Sequence, residues 1–258
     1  MKFEEVKKHV DGIPFIHPRN AEILYNFIVE NKITKVLELG IAHGTASCYI
    51  AAALDEIGGG ELVCVDLEEA RNEFKPGIEE LLQKTGLEKY VTVIREKTGY
   101  NWFLRNEIRK RSNEYNCTPY YDLCIIDGPK NWTIDGAAFF MADKLLKDNA
   151  WIIFDDYRWT YAESERGGAS ATDGVTHRNL SEEEINTPQI KEVFHLLVMQ
   201  HPNYHNFKIH GVGDWAWAQK TLAGAASKQI TIDYNVTYKD LFGRVFRMAN
   251  SIFKFRKV

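Results

Sequence analysis

No apolar run in this chain approaches the roughly 18 residues that a membrane-spanning helix needs, which excludes an integral membrane protein of the helical kind. Cysteine is sparse. The four residues Cys48, Cys64, Cys117 and Cys124 form no C-x-x-C pair, which argues against a zinc site or a disulfide framework. Cys48 falls in a helical pattern and Cys64 and Cys124 in strand patterns, so these three read as small buried hydrophobes in a reducing compartment. Positive charge is not in excess either. A net charge of −4 and an isoelectric point near 6.1 leave no electrostatic footprint for nucleic acid. The opening "MKFEEVKKHVDG" is too charged for a secretory signal. The expectation is a cytoplasmic protein with no nucleic-acid partner.

What is present is enough apolar residue, 45% of 258, to build a substantial core. Strand-like and helix-like patterns alternate. "KVLELG" (35–40), "ELVCVDL" (61–67), "YVTVIRE" (90–96), "DLCIIDG" (122–128) and "AWIIFDD" (150–156) read as strands. Between them, 45–57, 76–86, 101–111 and 136–147 read as helices, the second opened by Pro76 and closed by Gly86. Near-continuous apolar strands alternating with helices indicate a parallel sheet covered on both faces. The alternation then breaks. Residues 158–187 are polar, with Gly167-Gly168, and read as a lid or binding loop. A helix over 188–202 and a closing strand pair in "FKIHGVG" and "DWAWAQK" follow.

After the first strand, "LELGIAHGT" (37–45) sets Gly40 and Gly44 ahead of a helix. Ligands of open α/β sheets bind at the carboxyl ends of the strands, where glycine lets backbone approach closely. A dinucleotide fingerprint would need a middle glycine, and Ala42 stands there. The pattern E-x-G-x-x-x-G instead resembles the first motif of class I methyltransferases that use S-adenosylmethionine. That resemblance implies a Rossmann-like, doubly wound α/β sheet of about seven strands, mostly parallel with a reversed last strand. It implies Glu38 near the methionine moiety, Asp66 on the ribose hydroxyls, and an adenine contact in "EKTG" (96–99) at Thr98. A carboxylate at the end of the second strand suits two hydroxyl donors, and Asp66 lies 26 residues after Gly40.

Two further strands end in acids: Asp127 closes the fourth, and Asp155 with Asp156 closes the fifth. Three carboxylates converging on one edge repel unless a cation neutralises them, and a hard divalent ion with oxygen ligands is the natural candidate. The D-x-x-K of Asp127 and Lys130, followed 28 residues later by Asp155-Asp156, resembles the cation-dependent O-methyltransferases of the catechol, caffeoyl-CoA and macrocin types. The catechol type carries Asp-Asn at the pair, so Asp-Asp is more similar to the sugar-modifying branch. That branch often has an acid two residues after the first aspartate; Pro129 stands here, which leaves Lys130 as the base. The resemblance implies S-adenosylmethionine and Mg²⁺ (or another divalent cation) as cofactors. It implies Asp127, Asp155 and Asp156 as metal ligands, Asp127 beside the cofactor and in catalysis, and a small hydroxylated acceptor such as a sugar or sugar-linked metabolite.

Around this cluster, Trp132 and Trp159 are open to a sugar-stacking role or to core packing; His17 is open to a place near the cofactor or to a plain loop role, and His177 and His195 read as structural or exposed residues. The expected organisation is a methyltransferase domain over 1–220, with 158–187 as its lid, and a helical extension over 221–258. In 238–258, Leu241, Val245, Met248, Ile252 and Phe255 share one helical face, with Arg244, Arg247 and Lys254 opposite. Such a helix can pack on the domain or on a second copy in a homodimer, or lie on a membrane surface. An NAD-dependent oxidoreductase and a non-catalytic binding protein are the competing classes.

Overall fold

The computed structural model describes residues 1–164, 171–211, 214–222 and 229–233. Eight strands form one sheet: β1 (Lys35–Leu39), β2 (Glu61–Leu67), β3 (Val91–Glu96), β4 (Tyr121–Ile126), β5 (Leu146–Phe154), β6 (Tyr204–His210), β7 (Ala216–Lys220) and β8 (Ile230–Asp233). Their order is β3-β2-β1-β4-β5-β7-β6-β8. The first five pair in parallel. β7 is antiparallel to both β5 and β6, which makes it the reversed strand expected from "DWAWAQK". β8 pairs in parallel with β6. It is one strand more than the seven expected, and it carries the sheet into the span read as a helical extension. Residues 238–258 lie outside the described residues.

Because side chains alternate across a strand, β1 feeds two cores. Leu37 and Leu39 pack with Phe103, Leu104, Phe139, Phe154 and Phe194 on one face. Val36 packs with Leu24, Ile28, Ile50, Ile78 and Leu123 on the other. Helices α1 (Phe3–Val10), α2 (Pro18–Asn31), α3 (Thr45–Glu56) and α5 (Ile78–Thr85) cover the second face, with the short α4 (Ala70–Glu73) between β2 and α5. On the first face lie α6 (Tyr100–Arg111), α7 (Trp132–Leu145) and α9 (Gln189–Glu192), which runs on as a π turn over Val193–Val198. Cys48, Cys64 and Cys124 are buried, as their patterns predict. Among the described residues no helix is long and apolar enough to cross a membrane.

Two boundaries differ from the sequence reading in ways that matter for the site. β5 ends at Phe154, so Asp155 and Asp156 follow the strand rather than close it, and Asp156 sits in the left-handed region with φ 53°. The polar segment 158–187 is also less bare than expected. It holds a 3₁₀ turn at Tyr161–Glu163, a bridge between Thr172 and Asn179, and the helix α8 (Glu182–Asn186). Ser181 and Glu184 cap α8 reciprocally, and that S-x-x-E signature was present in the sequence.

Candidate active site at the strand tips

The tips of β1, β2, β4 and β5 surround one cavity of about 1400 Å³. Pockets for a single small ligand run to roughly 300–1,000 Å³, so the volume accommodates two ligands side by side. Glu38, Gly40, Asp66, Thr98, Asp127, Lys130, Asp155 and Asp156 all border it. Gly44 does not border it. It caps α3 at φ 84°, where a Cβ would stand 2.5 Å from the Ile78 Cβ, so its role is to let α5 close against the turn.

The glycine turn is held from below by Asp66. One carboxylate oxygen accepts from the Ile41 and Ala42 amides at 2.9 and 3.0 Å, and the other from the Leu67 amide at 2.7 Å. Asp66 therefore shapes the turn, and as a carboxylate bordering the cavity it has acceptor capacity beyond these three bonds. Glu38 is buried on the α3 face of β1 and accepts from the Ser47 hydroxyl and, at 3.1 Å, from the Cys64 thiol. Thr98 is exposed at the mouth, directly before the Gly99 that starts α6.

On the far side of the cavity the three aspartates each offer an oxygen within 4.8 Å of the others. Hard oxygen ligands at this spacing fit a small divalent cation that keeps several waters. Lys130 leans into the same group: its Nζ contacts Asp127 and lies 3.5 Å from Asp156 and 4.0 Å from Asp155. Burial and the Asp127 charge hold the Asp155 carboxyl well above the usual range, and burial raises Asp127 despite Lys130. Burial alone would lower the Lys130 ammonium; the three aspartates reverse that and hold it above its ordinary value.

Sequence reasoning missed the support beneath this loop. The Tyr100 hydroxyl donates to Asp135, which also accepts from the Asn131 amide at 2.7 Å, while Asn131 caps α7. A Cβ on Gly128 would stand 2.2 Å from the Tyr100 hydroxyl oxygen, so the loop lies directly on the tyrosine. The Y…D pair is separated by 35 residues, and no local pattern joins them. The Tyr161 hydroxyl donates to the Pro129 carbonyl at 2.8 Å, tying the segment after β5 to the same loop. Trp132 and Trp159 do not border the cavity, and Trp159 packs edge-on against Tyr161. Trp215 borders it instead, as do His17, His177 and a ring cluster of Phe15, His43 and Phe74. His17 caps α2, and His195 meets the Tyr157 hydroxyl at 2.5 Å away from the cavity.

The two buried acids give a pH signature. Burial pushes Glu38 up to about 7 against the pull of Ser47 and Cys64, and Asp135 up to about 6 against Tyr100 and the Asn131 amide. Both folded values lie above the ordinary carboxylate range. The folded state then keeps protons that the unfolded chain has released, so stability is full below the ordinary carboxylate range of about 4 and falls until pH has passed the folded values near 6 and 7. Between pH 4 and 8 the protein is expected to lose about 3 kcal/mol more stability than Glu38→Gln, the size of the Glu38 shift. Urea unfolding at the two pH values measures this, and parallel profiles would contradict it.

Residues 37–157 match a methyltransferase-domain family. No curated protein matches the chain. Among solved structures, an O-methyltransferase from Bacillus cereus in complex with SAH is 18% identical, covering 86% of this chain and 92% of that one at a TM-score of 0.57. The O-methyltransferase of tomaymycin synthesis from Streptomyces achromogenes, in complex with SAM, is 16% identical over 86% and 91%, at 0.56. An SAH-bound methyltransferase from Podospora anserina is 16% identical over 84% and 86%, at 0.58. At these identities the likeness is one of fold.

Proposed function

We infer that the chain, whose residues 37–157 form a methyltransferase domain on the class I fold, moves the methyl group of S-adenosylmethionine to a hydroxyl of a small molecule, with a divalent cation at Asp127, Asp155 and Asp156. The observation that carries this is the single cavity shared by the glycine turn and the acidic cluster. Its size leaves room for cofactor and acceptor together.

The roles divide by position. Gly40 brings the β1 turn close to the cofactor, Asp66 holds that turn and accepts from ribose hydroxyls, and Glu38 faces the methionine ammonium. Thr98 stands at the adenine side. The acceptor sits between the cofactor and the aspartates, under the lid that carries His177 and Val175 into the cavity. A bound divalent cation supplies Lewis acidity that lowers the pKa of the acceptor hydroxyl and orients it. Lys130 accepts the hydroxyl proton only as a neutral amine, so its ammonium, once clear of the carboxylates, first releases a proton to solvent. In-line displacement then depends on the fixed spacing of the strand tips.

The described lining carries seven carboxylates, at Glu38, Asp66, Glu69, Glu73, Asp127, Asp155 and Asp156, and only two lysines, Lys97 and Lys130. That balance favours a neutral polyol or sugar over a phosphorylated one. The test is an acceptor screen with methyl-labelled S-adenosylmethionine in Mg²⁺ and in EDTA. Transfer to a hydroxylated acceptor that stops in EDTA is expected. Full transfer in EDTA would remove the cation from the mechanism, and labelling of nitrogen or carbon would remove the O-transfer.

A further inference from the structure

We propose that the Lys130 ammonium is the resident counter-cation of the acidic cluster and that a divalent ion binds only by expelling it. The inference rests on the reading of Asp127, Asp155 and Asp156 as a cation site and adds the competitor built into that site. Lys130 is the least exposed of the four side chains, at 11% against 18%, 29% and 42% for Asp155, Asp127 and Asp156. Its Nζ contacts one aspartate and lies within 4.0 Å of the other two, so it sits among the oxygens rather than beside one of them.

The backbone is built to aim it there. Lys130 takes φ 61°, a left-handed conformation uncommon for a residue with a long side chain. The turn folds the side chain back toward Asp127, three residues earlier. Asn131 then starts α7 with its side chain accepting from the Thr133 and Ile134 amides, and Tyr161 grips the Pro129 carbonyl from the lid. The turn is thus anchored on both sides of the lysine, and the side chain is the part left to move.

A divalent ion of the Mg²⁺ class draws its oxygen ligands to about 2.0–2.1 Å. An ammonium in contact with those same oxygens occupies the space and duplicates the charge. Binding the ion therefore requires Lys130 to withdraw, and the observed affinity is the intrinsic affinity reduced by that competition. Withdrawal also leaves the amine close to the acceptor side, because the anchored turn limits how far it can go.

The experiment measures Mn²⁺ affinity of the full chain by electron paramagnetic resonance and calorimetry, with the thermal midpoint in EDTA and in Mg²⁺ as a second readout. Lys130→Met keeps the length and removes the charge. It is expected to bind Mn²⁺ at least tenfold more tightly than the wild type, to melt lower in EDTA, and to gain more from Mg²⁺. Lys130→Gln serves the same comparison if the methionine variant does not fold. Equal or weaker Mn²⁺ binding by the variants, with the wild type binding, overturns the displacement and leaves the cation site standing. Absence of Mn²⁺ binding in every form overturns both.

Discussion

Gly40→Ala is expected to abolish binding of S-adenosylhomocysteine and to lower folding stability by about 3–5 kcal/mol, summing a left-handed backbone penalty and an overpacking cost. Gly40 holds φ 97°, and a Cβ there would stand 2.0 Å from the backbone oxygen of Asp127. That oxygen cannot retreat cheaply. The Asp127 amide donates to the Leu39 carbonyl at 2.8 Å, and the Gly40 amide donates to Val65 at 2.9 Å, so the neighbours on both sides are pinned by the sheet. Relief then comes by parting the tips of β1 and β4, two of the four that surround the cavity. Calorimetry with S-adenosylhomocysteine and thermal unfolding check this together. A variant that melts with the wild type and keeps its affinity would show that the turn is not the cofactor's seat.

Asp155→Ala is expected to cut methyl transfer by about 10²–10³-fold, the range for removing one preorganised charge from an active site. It should also lose Mn²⁺ binding, while affinity for S-adenosylhomocysteine stays within a few-fold. Asp155 is the central member of the cluster. It is more enclosed than Asp127 or Asp156, and its amide donates to the Ile126 carbonyl at 3.1 Å, which fixes its carboxylate beside the tip of β4. Removing it leaves Lys130 with Asp127 and Asp156, so the ammonium stays neutralised and the fold is not expected to suffer. Unchanged Mn²⁺ affinity in this variant would place the cation elsewhere.

β1, β2 and β4 were legible because they are buried on both faces and read as near-continuous apolar runs, as in "ELVCVDL". The glycine turn and the acids at the tips were legible because glycine and paired aspartates at a strand end have few other uses. β8 was not. Its Ile230 and Ile232 are half exposed and alternate with Thr231 in a run of four, too short to separate from a loop. α8 was hidden by its acidic composition, although its cap was in view. The Tyr100–Asp135 support was beyond reach because it joins α6 to α7, and only folding reveals which residues of two helices meet. The tryptophan pair shows the converse: residues close to the aspartates in sequence face away, and Trp215, some sixty residues on, borders the cavity.

The strand tips are linked to one another in series. Gly40 donates to Val65, Asp127 to Leu39, and Asp155 to Ile126, so β2, β1, β4 and β5 share a continuous hydrogen-bonded rim. The spacing between the glycine turn and the aspartates is consequently set by backbone hydrogen bonds between neighbouring strand ends. Gly174, Val175, His177 and the segment around Phe15, which also border the cavity, lie outside that rim. On the proposed reading, exchanges in those segments are expected to change which acceptor is methylated while leaving the spacing of the strand tips in place.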